Sequence, residues 1–328
     1  MKTGLRRWFP PLLALAIFAL VLVVINRELA GFHLRDVLAY LRQIPAHSVL
    51  TAAAATLAGY LLLSVYDVLG LRYARRPLPY RTILFNSVIA YAIGHSLGAA
   101  ALTGGAVRYR LYSRSGLTGL DVATLQGFCS ATTAVGLTIL IGASLIAAPQ
   151  AAVAELHMSQ PWPAIVGIAL LALIATYALW GSFNAAGFEF RGWVLRPPGP
   201  ALTFAQVATG AIEISVSAAV LWSLLPVEAH VDFLSFLGIY SLAVAAGIAS
   251  YLPGGIGVFE SVILVALPDA PPDHVLGALL GYRVIYYLLP LSLAGIAFAG
   301  FEISSQGPRL ARIQAAASRV IAPIAPQL

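Results

Sequence analysis

Glu213, Glu260 and Arg283 each stand in or beside a run of apolar residues, where an ionised side chain is out of place. A charge at the centre of a membrane helix costs about 2.5–3.5 kcal/mol on insertion scales, so such a residue faces a cavity or an opposite charge. Two chemistries fit. In one, Arg283 meets a phosphate while Glu213 or Glu260 meets an ammonium; with Asp67, three acids against one arginine suit a zwitterionic or cationic head group. In the other, Glu213 and Arg283 pair and merely lock two helices together. Tyr282, Tyr286 and Tyr287 flank Arg283, and the last two lie one turn after it. They either hydrogen-bond a head group or pack within a bundle. His95 is a lining residue, a proton carrier or a satisfied buried histidine.

Two glycine-containing stretches add backbone chemistry. Thr103-Gly104-Gly105-Ala106-Val107-Arg108 places a flexible backbone beside a cation. In Tyr251-Leu252-Pro253-Gly254-Gly255-Ile256-Gly257-Val258-Phe259-Glu260, Pro253 removes a donor, and the glycines permit angles and close approaches that other residues forbid. Amides opening the next helix, 258–267, would bind an anion; a turn packed through small residues is the plainer alternative.

Other chemistries are excluded. Gly94-His95-Ser96-Leu97-Gly98 matches the nucleophile-elbow pattern. That chemistry needs serine on a strand-to-helix turn, with an acid and then a histidine later in the chain. Here the stretch is an apolar hairpin, and Gly94/Gly98, like Gly277/Gly281, reads as small-xxx-small packing. None of the six histidines has metal-ligand spacing to a second ligand pair. No Walker pattern is present. The sequence therefore predicts no enzyme, metal or cofactor.

The elements that must position these residues follow from composition. Of 328 residues, 60% are hydrophobic and 10% charged, and the mean hydropathy is +0.87. A soluble domain carries about 25% charged residues. A soluble enzyme, a disordered chain and a nucleic-acid binder are thereby excluded. The single Cys129 permits no intramolecular disulfide.

Apolar segments long enough to cross roughly 30 Å of hydrocarbon run near 9–26, 48–70, 120–148, 163–183, 202–225 and 274–301. The first follows Arg6-Arg7-Trp8-Phe9, but Pro10-Pro11 and the lack of a cleavage site mark a retained helix rather than a signal. The stretches 82–103 and 233–267 are broken by glycines. Were 82–103 a simple span, most arginines after it would face outward. If both broken stretches enter and leave on one side, the basic loops at 72–81, 108–114 and 191–196 and the basic tail all lie inside. The positive-inside rule selects the second arrangement.

The predicted fold is thus an all-α polytopic membrane protein of six full transmembrane helices plus two re-entrant helical hairpins. Units 48–148 and 202–301 become inverted copies joined by 163–183, an architecture of transporters. Residues 1–305 form one domain with cytoplasmic termini. The segment 27–47 reads as an outer interfacial helix and 306–328 as a cytoplasmic amphipathic tail.

The run Pro253 to Glu260, Gly104-Gly105 with Arg108, and Arg283 followed by Pro290 resemble the lysylphosphatidylglycerol synthase transmembrane-region family over roughly 10–305. This family forms the flippase half of the multiple peptide resistance factors and also occurs as stand-alone membrane proteins. The resemblance implies translocation of phospholipids, notably aminoacylated phosphatidylglycerol, across a bacterial inner membrane. No aminoacyl-transferase domain follows in this sequence, so a separate aminoacyl-lipid synthase is an expected partner. The packing motifs are compatible with a homodimer. An ion-coupled transporter of a small solute is the alternative on the same architecture.

Overall fold

The computed structural model describes residues 42–97, 100–147, 159–183, 188–190, 193–195, 197–250 and 252–302. Helix α1 spans Ala46–Tyr73, α2 Tyr80–Leu97, α3 Ala100–Tyr112, α4 Gly119–Ala147 and α5 Trp162–Phe183. A two-stranded antiparallel ribbon, β1 Phe188–Phe190 and β2 Trp193–Leu195, precedes α6 Pro200–Trp222, α7 Phe233–Ala249 and α8 Val258–Val265. The last helix, α9, runs Pro272–Glu302. Apart from the ribbon, the described elements are helical. Among them α1, α4, α5, α6 and α9 are the five long and apolar enough to cross a membrane. They coincide with five predicted spans; the sixth, 9–26, and the segments 27–41 and 306–328 lie outside the described residues.

Local chemistry sets the boundaries. Pro200 opens α6 after Gly199, and Pro272 opens α9 after Pro271, each where a missing amide hydrogen costs nothing. Ahead of α4, the Thr118 hydroxyl accepts the Asp121 amide at 3.2 Å while Asp121 accepts the Thr118 amide at 2.8 Å, a reciprocal cap. Asp232 caps α7 by accepting from the amides of Leu234 and Ser235 at 3.0 and 3.1 Å. Hydrogen bonds from Ser235, and then from the Leu234 amide, hold the Asp232 carboxyl below the usual range. Such a group stabilises the fold above its unfolded-state pKa, and the contribution is lost as pH falls through the folded value. Asp232→Ala should therefore cost about 0.5–1 kcal/mol in near-neutral buffer, and the deficit should shrink in strong acid; unfolding curves of both chains at the two pH values check it.

Helix α5 buries only Pro163, Gly167 and Gly181. Its other residues, nearly all apolar, face outward, as suits a helix whose solvent is lipid. Small residues bring the long helices together. A Cβ on Gly136 of α4 would sit 2.5 Å from the Gly210 backbone of α6, so the two helices cross backbone to backbone.

Helices α2 and α3 form one hairpin and α7 with α8 a second. Tyr112 lies against Ile83 and Gly104 against Ala90 and Gly94, which makes α2 and α3 antiparallel. Gly247 faces Gly255 and Phe259 across the second turn. The feet of the first hairpin reach the C-terminal part of α1, where Tyr112 bonds Asp67. The feet of the second lie by its N-terminal end, where His47 and Asp232 share a pocket. The hairpins therefore point toward each other from opposite ends, and a Cβ on Gly254 would sit 3.8 Å from the His95 carbonyl. Each packs into its own core, one containing Ile89, Leu111 and Leu125, the other Phe236, Ile263 and Leu221. Helix α9 serves both, through Val275 to Tyr286 in one and Leu291 to Phe298 in the other. Between them, Arg283–Leu288 winds as a π-helix.

Two boundaries differ from expectation. The first hairpin covers 80–112 rather than 82–103, and the stretch from Gly104 to Arg108 is helix, not a break. Its glycines serve packing: Gly104 lets α3 approach Ala90 and Gly94, and Gly105 lies 3.8 Å from Gln126. In the second hairpin the loop is real, and the helix after it is Val258–Val265 rather than 258–267.

Candidate functional site

The Pro253–Glu260 loop and the π-turn of α9 meet at one guanidinium. Arg283 donates from Nε and Nη2 to Glu260 Oε1, at 2.9 and 2.5 Å, and from Nη1 to the Gly254 carbonyl at 2.7 Å. The other oxygen of Glu260 accepts the Gly257 amide at 2.7 Å. One carboxylate thus joins the cation to the opening of α8, and the anion expected at that helix start is supplied from within the chain. The arginine is buried between the rings of Tyr287 and Phe259, 4.9 and 5.7 Å from the guanidinium carbon.

The glycines have specific reasons. Gly254 has φ +59°, and a Cβ there would lie 2.9 Å from Arg283 Nη1; Gly255 has φ +66°, and its Cβ would lie 2.9 Å from the Gly247 Cα. Pro253 starts the tight turn ahead of them.

Glu213, buried in α6, is held by hydroxyls. Ser217 and Tyr286 donate to Oε1 at 2.8 and 3.4 Å, and Tyr66 to Oε2 at 3.2 Å. The expected Glu213–Arg283 lock does not form, because the loop carries Glu260 to the guanidinium while the hydroxyls occupy Glu213. Between the two acids runs a stack of rings. Tyr282 lies on Phe259 with centroids 5.7 Å apart and on Tyr286 at 5.3 Å, and its hydroxyl meets that of Tyr240 at 2.6 Å. Tyr60 tilts onto Tyr286.

Arg108 and Asp67 form a second buried ion pair. The Nη2–Oδ1 distance is 2.8 Å, and the Tyr112 hydroxyl donates to Oδ2 at 2.7 Å. Arg108 also donates to Gln126 at 2.6 Å, and its guanidinium carbon lies 4.3 Å from the Tyr91 ring centroid. His95 packs edge-on to Tyr91 at the hairpin tip. Next to it, Ser96 turns its hydroxyl back onto the Ala92 carbonyl at 2.8 Å. Among the described residues no three His, Cys, Asp or Glu side chains converge as metal ligands.

The structure therefore gathers Gly254, Gly257, Glu260, Arg283 and Tyr287 in one cluster, with Glu213 and Tyr286 behind it. Gly104, Gly105 and Arg108 belong to the other hairpin, and only His95 reaches toward the first cluster. Sequence reasoning missed Tyr66, Ser217, Gln126, Tyr91 and Tyr112. Ser217, one helical turn after Glu213, was the one partner that spacing could have offered.

No protein-family profile matches the sequence. Individual relatives do. The uncharacterized protein slr0712 of Synechocystis is 35% identical over 295 residues, covering 90% of this chain and 92% of that one. The inner membrane protein YbhN of Escherichia coli is 30% identical over 266 residues, 80% of this chain and 82% of the relative. The chain belongs to the lysylphosphatidylglycerol synthase transmembrane-region family. Phosphatidylglycerol lysyltransferase of Staphylococcus aureus is 28% identical over 306 residues, which are 90% of this chain but 34% of that protein. Membership of the lysylphosphatidylglycerol synthase transmembrane-region family and the five apolar helices together describe a multi-pass membrane protein.

Proposed function

We propose that this chain moves phospholipids between the leaflets of a bacterial inner membrane, with phosphatidylglycerol, above all its aminoacylated (lysyl) form, or a related anionic lipid as cargo. The observation that carries the reading is the meeting of two hairpin tips between the ends of the bundle, one bearing the Arg283–Glu260 clamp with Glu213 behind it. An arginine suits a phosphodiester and a carboxylate suits an ammonium, so one head group can engage both while its acyl tails stay in lipid. On this reading the hairpins are re-entrant from opposite faces, and units 48–148 and 202–301 are an inverted repeat. Both termini lie in the cytoplasm, and the chain performs no covalent chemistry. Outward movement of a lysylated lipid makes the surface less negative and weakens attraction of cationic antimicrobial peptides. The likeness to a third of the Staphylococcus aureus lysyltransferase, whose name states action on phosphatidylglycerol, supports a lipid role. The same coverage favours a second reading, in which the chain is a membrane partner of a separate aminoacyl-lipid synthase.

The test is reconstitution into liposomes, following leaflet exchange of labelled phosphatidylglycerol and its lysyl ester by quencher accessibility. Arg283→Ala and Glu213→Gln should each slow exchange by about tenfold or more, the worth of a hydrogen bond to a charged group. Absence of exchange by folded wild-type protein would sink the translocation reading and leave the partner reading, which a pull-down then addresses.

A further inference from the structure

At the arginine-rich end of the bundle, the feet of the first hairpin and the end of α9 enclose a cavity of about 320 Å³, away from the clamp. We infer that this cavity is a binding site for the phosphate of a phospholipid head group, at the membrane surface and separate from the translocation path.

Four observations carry it. Arg81 lines the cavity from the first turn of α2 and, among the described residues, pairs with no carboxylate. Asn86, one helical turn and a half further on, also lines it; that residue is only 3% exposed, and its amide nitrogen is buried without a hydrogen-bond acceptor. An orphaned buried donor is costly, and an anion in the cavity is the partner that would satisfy it. Arg114 adds a second cation to the lining, stacked on Phe301 at 4.3 Å and bonded to Glu302. Glu302 is the one carboxylate described in this cluster, and it is shared by Arg110 and Arg114, so Arg81 and the amide are left over for a ligand. The opening of an 18-residue helix at Tyr80 adds a positive dipole end.

The apolar wall selects a lipid. Phe85 and Phe301 lie 5.8 Å apart at the cavity, and Phe85 is 40% exposed. An acyl chain can lie on these rings while the phosphate reaches Arg81 and Asn86. Basic pockets between membrane helices are recognised lipid sites by the same physics. The inference does not depend on translocation, since binding here needs no movement of lipid across the bundle.

Binding to the full chain in detergent is to be measured by native mass spectrometry and thermal unfolding, with phosphatidylglycerol, diacylglycerol and inorganic phosphate as probes. Phosphatidylglycerol should bind and stabilise, and diacylglycerol, which lacks the phosphate, should not. Arg81→Glu, at an exposed position that folding tolerates, should weaken phosphatidylglycerol binding by about tenfold or more, the loss of one hydrogen bond to a charged group. Asn86→Asp should do the same, and Asn86→Ser should weaken binding less. Unchanged lipid binding in both Arg81→Glu and Asn86→Asp would overturn the site. Inorganic phosphate binding as tightly as the lipid, with the same response to the variants, would overturn the lipid assignment and leave a free-phosphate site.

Discussion

Arg108→Ala should destabilise the protein by about 3–5 kcal/mol, because it strands Asp67 as a buried charge with no counter-ion. Asp67 is fully buried and Arg108 is 2% exposed, so water cannot replace the lost partner. The alanine would also release Gln126 and the Tyr91 ring from the guanidinium. Removing both charges together, as in Asp67→Leu with Arg108→Met, should recover most of the loss, since two matched apolar groups carry no desolvation debt. Unfolding of the single and double variants in a graded detergent series measures the difference. If the double variant is as unstable as Arg108→Ala, the ion pair is not the closed unit that its geometry describes. The pair ties α3 to α1, so its rupture should loosen the whole first hairpin and with it the tip that carries His95.

The second large effect belongs to the glycine loop. Gly255→Leu should reduce leaflet exchange to background while the protein still inserts in the membrane. Two costs add here: about 1–2 kcal/mol for an L-residue at positive φ and about 1–3 kcal/mol for forcing a side chain into a packed site. The clash is with the Gly247 backbone, which has no side chain to swing aside. Gly254→Ala should be milder, because its Cβ meets the far end of the Arg283 side chain; that end can retreat, at the expense of its bond to the Gly254 carbonyl. Membrane extraction assays and exchange rates of both variants, compared with wild type, test the order. Equal full activity in both would remove the loop from the mechanism.

The five described spans were legible because an unbroken apolar run of some twenty residues has few other places to go. The hairpins were legible from charge: arginines at 72–81 and 108–114 cannot both lie inside unless the chain between them turns back. What the sequence hid was partner choice. Glu213 and Glu260 are both candidates for Arg283 by type, and only the fold shows that the loop delivers Glu260 while Tyr66, Ser217 and Tyr286 take up Glu213. The Gly104-Gly105 pair has the composition of a break yet lies within α3, because the same small residue that frees a backbone also lets another helix come close. Asp67 and Arg108 are 41 residues apart, and nothing local announces their pairing. The π-turn left no trace either, since its cause is the demand of two cores on one helix.

That turn makes α9 unusual in how it tolerates change of length. A π-turn holds one residue more than the α-turn it replaces. The extra residue is an insertion absorbed without bending the rod, and it sets the azimuth of Leu291 to Phe298 relative to Val275 to Tyr282 by about 100°. Substituting a side chain between Arg283 and Leu288 alters one contact. Deleting a single residue there rotates half of the helix against its core, so in this stretch the number of residues is as much a functional property as their identity.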